Sequence, residues 1–363
     1  VNPTPQKKCF SSLLILIFFT AAFAANLSSP AFAEGGNLVK DADGFYLIDD
    51  ADDLENFREG VNGDAVDVDG NQIENNANAR LTGDIDLSSD NWTPIGNGTT
   101  QYTGTFDGCG YSITGLTINS TEQYVGLFGY IGADGTVKNL TASASEDGIK
   151  ANYNQKFGYA GAVAGQSDGT ITNCTFASGS VTGSGSLACV GGIVGRASGT
   201  VSNCTTQSEA NVVGNNIGRA GGIAGMSADN SKVKILNCSN SGTVNGSMAS
   251  GGIIGDLYYD DSIVSNCINN GEVSGGDAGG IVGSISSGTV SSCVSTGTGA
   301  DGGVAGNVYG SGNVSNCAWR TGNGFPQTKL YLKGRILQRV LPLPTIRFRS
   351  QMINLAPSSR RSL

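Results

Sequence analysis

The sequence predicts an all-β fold, a right-handed parallel β-helix with a short N-terminal capping helix. A glycine-rich phrase recurs along the chain, and the last glycines of successive copies lie 36, 30, 30, 30, 28 and 23 residues apart. Repeats of this length are typical of solenoids, propellers and arrays. No 3.6-residue apolar stripe is present between residues 160 and 318, which disfavours a helical solenoid. The seven copies are "VGLFG" (125–129), "GAVAG" (161–165), "GGIVG" (191–195), "GGIAG" (221–225), "GGIIG" (251–255), "GGIVG" (279–283) and "GGVAG" (302–306).

One period contains three short segments that read as strands. Within residues 190–220 they are "VGGIVG", "GTVSNCTT" and "ANVVGN", each rich in Val, Ile or Thr and bounded by Gly, Ser or Asn. Three strands a coil and about 30 residues a coil predict a β-helix, whose coils stack at ~4.8 Å. A single coil cannot bury its inner side chains, so the phrase must recur. A propeller is the alternative, but its blades usually need ~40 residues.

Residues 1–33 predict a signal peptide. Lys7 and Lys8 precede the apolar run "FSSLLILIFFTAAFA", and Ala-Phe-Ala sites follow at 22–24 and 31–33. Cleavage before Glu34 is the favoured position. The alternative is a membrane anchor, although the run is short for a span. We therefore expect an exported mature chain that has no transmembrane span.

Residues 34–120 are expected to form an N-terminal cap and the first coils. Asp50 and Asp53, followed by the apolar residues Leu54 and Phe57, are typical of a helix start. A helix here would cover the open first coil of a solenoid.

Residues 121–324 are expected to hold the repeats proper. The central Val or Ile of each phrase should point inward, and the flanking glycines should permit tight corners and positive φ. The inward residues are Val163, Ile193, Ile223, Ile253, Ile281 and Val304.

An asparagine in each "TVSNCT" segment is expected to bend the chain, because Asn tolerates the left-handed region and can bond nearby backbone. Ser292 replaces Asn in one coil. The asparagine ladder is Asn173, Asn203, Asn237, Asn266 and Asn316.

The cysteine that follows each of these positions is expected to form a second ladder. Buried free cysteine behaves as a small hydrophobic residue, so a reduced stack is favoured. Export and the coil spacing also permit disulfides, so both states stay open. A zinc site is not expected, because the spacing fits no compact zinc motif and the chain has no histidine. The ladder is Cys174, Cys204, Cys238, Cys267, Cys293 and Cys317.

Residues 325–363 form a basic tail with eight Lys+Arg and no acid. The tail could contact anionic envelope polymers. The favoured alternative is a frameshifted or truncated gene end, and a disordered tail is the remaining alternative.

Composition argues against catalysis and against nucleic-acid binding. Without histidine, a Ser/His/Asp or Cys/His arrangement is impossible. Residues 161–205 hold one acid, Asp168, and one base, Arg196, whereas β-helical enzymes on glycans group several carboxylates. Residues 34–324 carry 11 Lys+Arg against 30 Asp+Glu, a difference of −19, which would repel phosphates. We expect neither an enzyme nor a cofactor.

The segment "DVDGNQIE" at 67–74 resembles a calcium loop only weakly. In the EF-hand frame Ala65 and Asn76 stand where the anchoring ligands belong, so an acidic surface loop is favoured.

Loop lengths indicate a candidate binding surface. Among the segments that connect the last glycine of a phrase to the aligned cysteine, 226–236 and 256–265 are the longest, and they belong to neighbouring coils. Insertions on one face of a solenoid often mark its binding face. A longer solvated corner is the plainer alternative. The candidate binding residues are Asp256, Tyr258, Tyr259, Asp260 and Asp261.

The ordered motifs "LTGDIDL", "WTPIG", "GTFDGCGYSITGLTI", "YVGLFGYI" and "GGIxG…GTVSNC" resemble those of the bacterial GLUG-motif proteins over residues 40–320. The resemblance implies a secreted or cell-surface β-helical module. The expected function is adhesin-like recognition of a host or envelope glycan or protein through a polar flank. The alternatives are a polysaccharide lyase or hydrolase, and a passive spacer.

Overall fold

A computed structural model describes residues 38–63, 65–153, 155, 157–185, 187–216, 218–228, 232–320, 329–332 and 335–338. The chain is nearly all β, with parallel sheets stacked into a β-solenoid of about eight turns. The predicted parallel β-helix is therefore confirmed. The signal-peptide prediction for residues 1–33 lies outside the described residues, and so does most of the tail.

Helix α1, Ala51–Asn62, packs at the N-terminal end of the solenoid. The Asp50 carboxylate caps it by accepting from the Asp53 N–H, and Gly63 ends it at φ 110°. Phe57 is fully buried, and its ring lies 6.1 Å from the Tyr102 ring. The predicted capping helix is thus present, and it is the one helix of the described chain.

Each full coil visits four parallel sheets in turn, which we number one to four. The first sheet contains β1 (Tyr46–Ile48), β2 (Ala79–Leu81), β4 (Thr105–Asp107), β8 (Thr136–Lys138), β12 (Thr170–Thr172), β16 (Thr200–Ser202), β20 (Lys234–Leu236), β25 (Ile263–Ser265), β30 (Thr289–Ser291) and β33 (Asn313–Ser315). The second sheet contains β3 (Ile85–Asp86), β5 (Ser112–Ser120), β9 (Thr141–Ala151), β13 (Thr175–Gly183), β17 (Thr205–Gly214), β21 (Ser239–Asn240), β22 (Thr243–Gly246), β26 (Ile268–Asn269), β27 (Val273–Gly275), β31 (Val294–Ser295) and β34 (Ala318–Trp319).

The third and fourth sheets follow each other directly in every coil. The third contains β6 (Tyr124–Val125), β10 (Phe157–Gly161), β14 (Leu187–Gly191), β18 (Arg219–Gly221), β23 (Ala249–Gly251) and β28 (Ala278–Gly279). The fourth contains β7 (Phe128–Ile131), β11 (Ala164–Ser167), β15 (Val194–Ala197), β19 (Ala224–Ser227), β24 (Ile254–Leu257), β29 (Val282–Ile285) and β32 (Ala305–Val308). In the tail, β35 (Lys329–Leu332) pairs antiparallel with β36 (Arg335–Gln338).

The prediction of three strands a coil is wrong, because two of the predicted strands are each bent into two. The segment "VGGIVG" bends after Gly191 and "GTVSNCTT" bends at Asn203, so each supplies a strand to two different sheets. The third segment, "ANVVGN", is the continuation of β17. A coil therefore has four sides where the sequence suggested three.

The central Val or Ile of the phrase points into the core, as predicted. Ile193, Ile223, Ile253 and Ile281 are fully buried, and Val304 is 4% exposed. These residues stack from coil to coil along the corner between the third and fourth sheets.

The phrase glycines lie at a tight corner, as predicted, but not with the predicted positive φ. Among the described residues none of the phrase glycines has positive φ. A Cβ at Gly195 would lie 2.4 Å from the Ala160 nitrogen, and one at Gly225 would lie 2.5 Å from the Val190 nitrogen. These glycines let the backbones of the third and fourth sheets approach each other, an arrangement that any side chain would block.

Candidate binding surface

The two long loops lie side by side at the corner between the fourth and first sheets. Lys232 Nζ lies 2.7 Å from the Asp261 carboxylate, and the Ile263 N–H donates to the Val233 carbonyl at 2.8 Å. Two further loops, 286–288 and 309–312, continue this corner over the next coils. We define the loop face as Lys232, Tyr258, Tyr259, Asp260, Asp261, Ser287, Tyr309 and Ser311.

Aromatic rings stand out from the loop face. Tyr258 is 50% exposed, and its ring meets that of Tyr259 edge-on at 5.0 Å. Tyr309 is 51% exposed and lies two coils further on, a rise of ~9.6 Å at the sheet spacing. Exposed tyrosine rings can stack on a ligand. The Tyr309 hydroxyl accepts from Asn307 Nδ2 at 2.6 Å and donates to Asp277 at 3.3 Å, so within the chain it is already hydrogen-bonded.

Serine and aspartate side chains connect the loops between these tyrosines. Asp260 accepts hydrogen bonds from Ser287 and, at 3.3 Å, from Ser311. The two serine hydroxyls also lie 2.9 Å apart. Asp261 adopts φ 62°, the left-handed region that a tight loop uses. The loop face is therefore one connected polar surface across several coils.

Asp256 does not belong to this surface, which corrects the prediction. It lies within β24, is 5% exposed, and accepts from Arg219 Nε at 2.7 Å. Burial raises the pKa of its carboxyl, and the Arg219 guanidinium opposes that shift. Strand β24 extends to Leu257, so the loop begins at Tyr258, two residues later than the loop count placed it.

Arg219 and Asp256 belong to a seam where the outer sides of the third and fourth sheets meet. Each of the first five phrases is followed directly by one seam residue, so aligning the phrases would have revealed the seam. The arginine seam comprises Tyr124, Tyr159, Cys189 and Arg219 on the third sheet and Tyr130, Gln166, Arg196, Met226 and Asp256 on the fourth.

The contacts within the seam tie neighbouring coils together. The Arg196 guanidinium lies 5.3 Å from the Tyr159 ring centre and donates to Gln166 at 3.1 Å. Gln166 in turn donates to Asp168 at 3.2 Å, and Asp168 also accepts from Tyr130. Burial, then the bond to Asp168, raises the pKa of Tyr130 above its ordinary value. Because Gln166 is 3% exposed and Asp256 5%, the seam is filled by its own side chains.

The structure places the asparagine ladder at the corner between the first and second sheets. All five residues have φ between 53° and 56°, and Ser292 has φ 55°. Asn173 Nδ2 donates to Asn139 Oδ1 at 3.2 Å, and Asn237 Nδ2 to Asn203 Oδ1 at 3.3 Å. Asn139, at φ 55°, extends the ladder by one coil beyond the sequence alignment.

The cysteine ladder lies directly beneath this corner. The six cysteines are free thiols, five of them buried and Cys317 partly exposed. Each thiol donates to the carbonyl two residues earlier, as from Cys204 to Ser202 at 3.3 Å. The Cys238 thiol, then burial, raises the pKa of Cys267 to about 12, and Cys267 acts in the same way on Cys293, raising its pKa to about 12.

The acidic loop at 67–74 uses its carboxylate internally. Asp67 Oδ1 accepts from the Asp69 N–H at 3.0 Å and from the Asn71 N–H at 2.9 Å. Its other oxygen accepts from the Tyr46 hydroxyl at 3.0 Å. In the described residues no group of three or more His, Cys, Asp or Glu is arranged to hold a metal ion.

No family model matches the chain. It is 31% identical over 174 residues to a protein of Evansella cellulosilytica provisionally named a Gly-rich membrane protein, covering 45% of this chain and 18% of that one. It is 39% identical over 93 residues to halomucin of Haloquadratum walsbyi, covering 25% of this chain and 1% of halomucin. The chain thus spans a small part of the relatives it matches.

A crystal structure from Bacteroides ovatus, provisionally named an immunoglobulin A1 protease, superposes on this chain with a TM-score of 0.45 at 19% sequence identity. The superposition covers 80% of this chain and 93% of that one. No helix in the described part of the chain is both long and apolar enough to cross a membrane.

Proposed function

We propose that the chain is a non-catalytic binding module of an exported cell-surface protein, and that it recognises a glycan or a protein through its loop face. The observation that carries the proposal is the pair of half-exposed tyrosines, Tyr258 and Tyr309, on loops joined by a serine–aspartate network. The names of the relatives, a membrane protein and a halomucin, support a surface location. The resemblance to GLUG-motif proteins points to the same setting.

The physical case for recognition is that the loop face is presented by a stiff scaffold. Ion-paired and hydrogen-bonded loops lose little freedom on binding, which favours affinity. Exposed tyrosines contribute large contact area at low entropic cost. The rest of the corner carries Ser, Asp and Lys side chains, which suit a hydroxyl-rich or polar partner.

Glycan arrays and panels of matrix proteins, screened with the folded chain, test the proposal. We expect Tyr258→Ala and Tyr309→Ala each to weaken capture at least tenfold while circular dichroism stays unchanged. The matched control is Met248→Ala, since Met248 is 43% exposed but lies outside the loop face. Capture that survives both tyrosine variants would contradict the loop-face assignment.

Two other outcomes would replace the proposal. Release of oligosaccharides from a panel of acidic polysaccharides would identify an enzyme. A correctly folded chain that captures nothing on any array would identify a passive spacer.

A further inference from the structure

The cysteine ladder forms a continuous column of thiols through the solenoid. The residues on either side of each cysteine are paired in register with those of the next coil, as Ser202 with Thr172 and Thr205 with Thr175. The same holds down to Cys317, through Ser315 with Ser291 and Ala318 with Val294. Leu140 occupies the equivalent position above Cys174, so an apolar side chain closes the column at that end.

The sulfur atoms repeat with the coil. Each donates to its own coil at 3.2–3.4 Å, and each lies 3.6–3.8 Å from a carbonyl oxygen of the preceding coil. A constant position within the coil means that neighbouring sulfurs are separated by about the coil rise, ~4.8 Å. The column is therefore a row of evenly spaced thiols.

This spacing disfavours a direct bond between neighbouring sulfurs. A disulfide needs an S–S distance of about 2.05 Å, so both thiols would have to leave the carbonyls they now contact. A zinc–thiolate bond is about 2.3 Å long, and two opposed metal–thiolate bonds of about that length span ~4.6 Å, which is close to the coil rise. Soft thiolate ligands select Cu(I). Zinc is almost always held by four ligands, so its exclusion here does not extend to a two-thiolate bridge.

We propose that the cysteine column is a binding site for a soft, two-coordinate cation such as Cu(I), bridged between cysteines of adjacent coils. Two S–H bonds break and two S–Cu bonds form, two protons pass to solvent, and the oxidation state of copper does not change. Six thiols pair as Cys174 with Cys204, Cys238 with Cys267, and Cys293 with Cys317, for three ions a chain. Cys317 is partly exposed, so the column opens at its C-terminal end.

The test is an anaerobic titration of the reduced full chain with Cu(I), supplied as its complex with a chromophoric chelator. We expect three ions bound in the column, counted as the difference from a chain whose six column cysteines are all serine, with two sulfur ligands per ion in X-ray absorption. Cys238→Ser leaves a pair above the break and three thiols below it, so two ions are expected. Cys293→Ser also predicts two, which keeps the test valid if one variant fails to fold.

The matched control is Cys189→Ser, because Cys189 is a fully buried free thiol outside the column. It should still bind three ions. Absence of binding by both the native and the refolded chain, or equal stoichiometry in Cys238→Ser and the unsubstituted chain, would overturn the proposal. Rapid formation of disulfides between column cysteines in oxidised glutathione would contradict the claim that the sulfur spacing disfavours a direct S–S bond.

Discussion

At the scale of single residues, the corner between the first and second sheets depends on asparagine. A left-handed backbone costs most residues about 1–2 kcal/mol, and Asn tolerates it better than residues with longer or branched side chains. A residue with left-handed φ stands at this corner in every coil from Asn139 to Asn316, and it is Asn in all of them except the coil of Ser292. A repeated corner of this kind lets every coil turn at the same place, so the ladder is a consequence of stacking.

We predict that Asn203→Ala lowers the free energy of unfolding by about 1 kcal/mol. Alanine lacks the short polar side chain whose local hydrogen bonds make the left-handed region favourable for Asn. Asn203→Gly is the matched control and should stay close to the unsubstituted chain, since glycine adopts positive φ freely. Urea denaturation of the three proteins measures the difference. Equal stability of the Ala and Gly variants would show that the conformation at this corner is not under strain.

The buried thiols predict a loss of stability at alkaline pH. The folded pKa of Cys267 and Cys293 is about 12, above the ordinary value of 9.0. Between these values the unfolded chain releases protons that the folded chain retains. The stability from this source is therefore complete below about pH 9 and falls as pH rises toward 12.

The measurement is the free energy of unfolding against pH, for the unsubstituted chain and for Cys267→Ala with Cys293→Ala. The double variant should show the shallower slope above about pH 9, even if it is less stable at neutral pH. Parallel slopes would mean that these thiols do not titrate differently in the two states.

At the scale of elements, the glycine phrase defines a close contact between two sheets. The sequence led to the expectation of positive φ at a tight corner. The corner is present, but the glycines are needed because a Cβ at Gly195 or Gly225 would meet backbone atoms of the neighbouring sheet. The error has a physical source: a glycine needed for φ and a glycine needed for space look the same in one sequence. The number of strands was wrong for a related reason. The bends after Gly191 and at Asn203 are very short, so no polar loop in the sequence separates the two strands that meet at each bend.

We predict that Gly225→Ala costs about 1–3 kcal/mol, the range typical of overpacking, because its Cβ would meet the Val190 nitrogen at 2.5 Å and the Gly195 oxygen at 2.6 Å. Gly214→Ala is the control, since its nearest neighbour is the Arg219 oxygen at 3.2 Å. Hydrogen exchange should show faster amides in β14 and β19 for the first variant alone. Unchanged protection in these strands would rule out this role for the glycine row.

The loop face shows how far a candidate site could be predicted from sequence. Loop length led to Tyr258 through Asp261, and the ion pair of Lys232 with Asp261 places the two long loops side by side. Tyr309 and Ser287 were missed because their loops are of ordinary length. Asp256 was included because a strand end cannot be located to within two residues by counting. The ligand stays a proposal, since side chains of these types suit several partners.

At the scale of the whole molecule, the fold is determined by the period. Pairing in register requires only that equivalent positions recur, so the parallel solenoid follows from the spacing of the phrase, whereas the number of sides does not. Stability in such a molecule is approximately a sum of coil terms and nearest-neighbour contacts. One coil should therefore be removable if its neighbours can pair in its place.

The chain offers a direct test of this additivity. Val194 pairs with Ala224, and Ala224 pairs with Ile254. Deletion of residues 224–253 therefore joins Ile223 to Ile254, which takes the register position of the deleted Ala224. In the second sheet the buried Asn240 is then replaced by Asn269, which has the same surroundings and its own bond to Gly271. We expect a folded solenoid that is shorter by one rise of ~4.8 Å in solution scattering and has the same circular dichroism per residue. A chain that lacks residues 224–238, half a coil, should unfold or aggregate. Strands of the first sheet in the later coils would then lie beside strands of a different sheet. If both deletions fold equally well, or neither folds, coils do not stack as interchangeable units and the ladders of this molecule need another explanation.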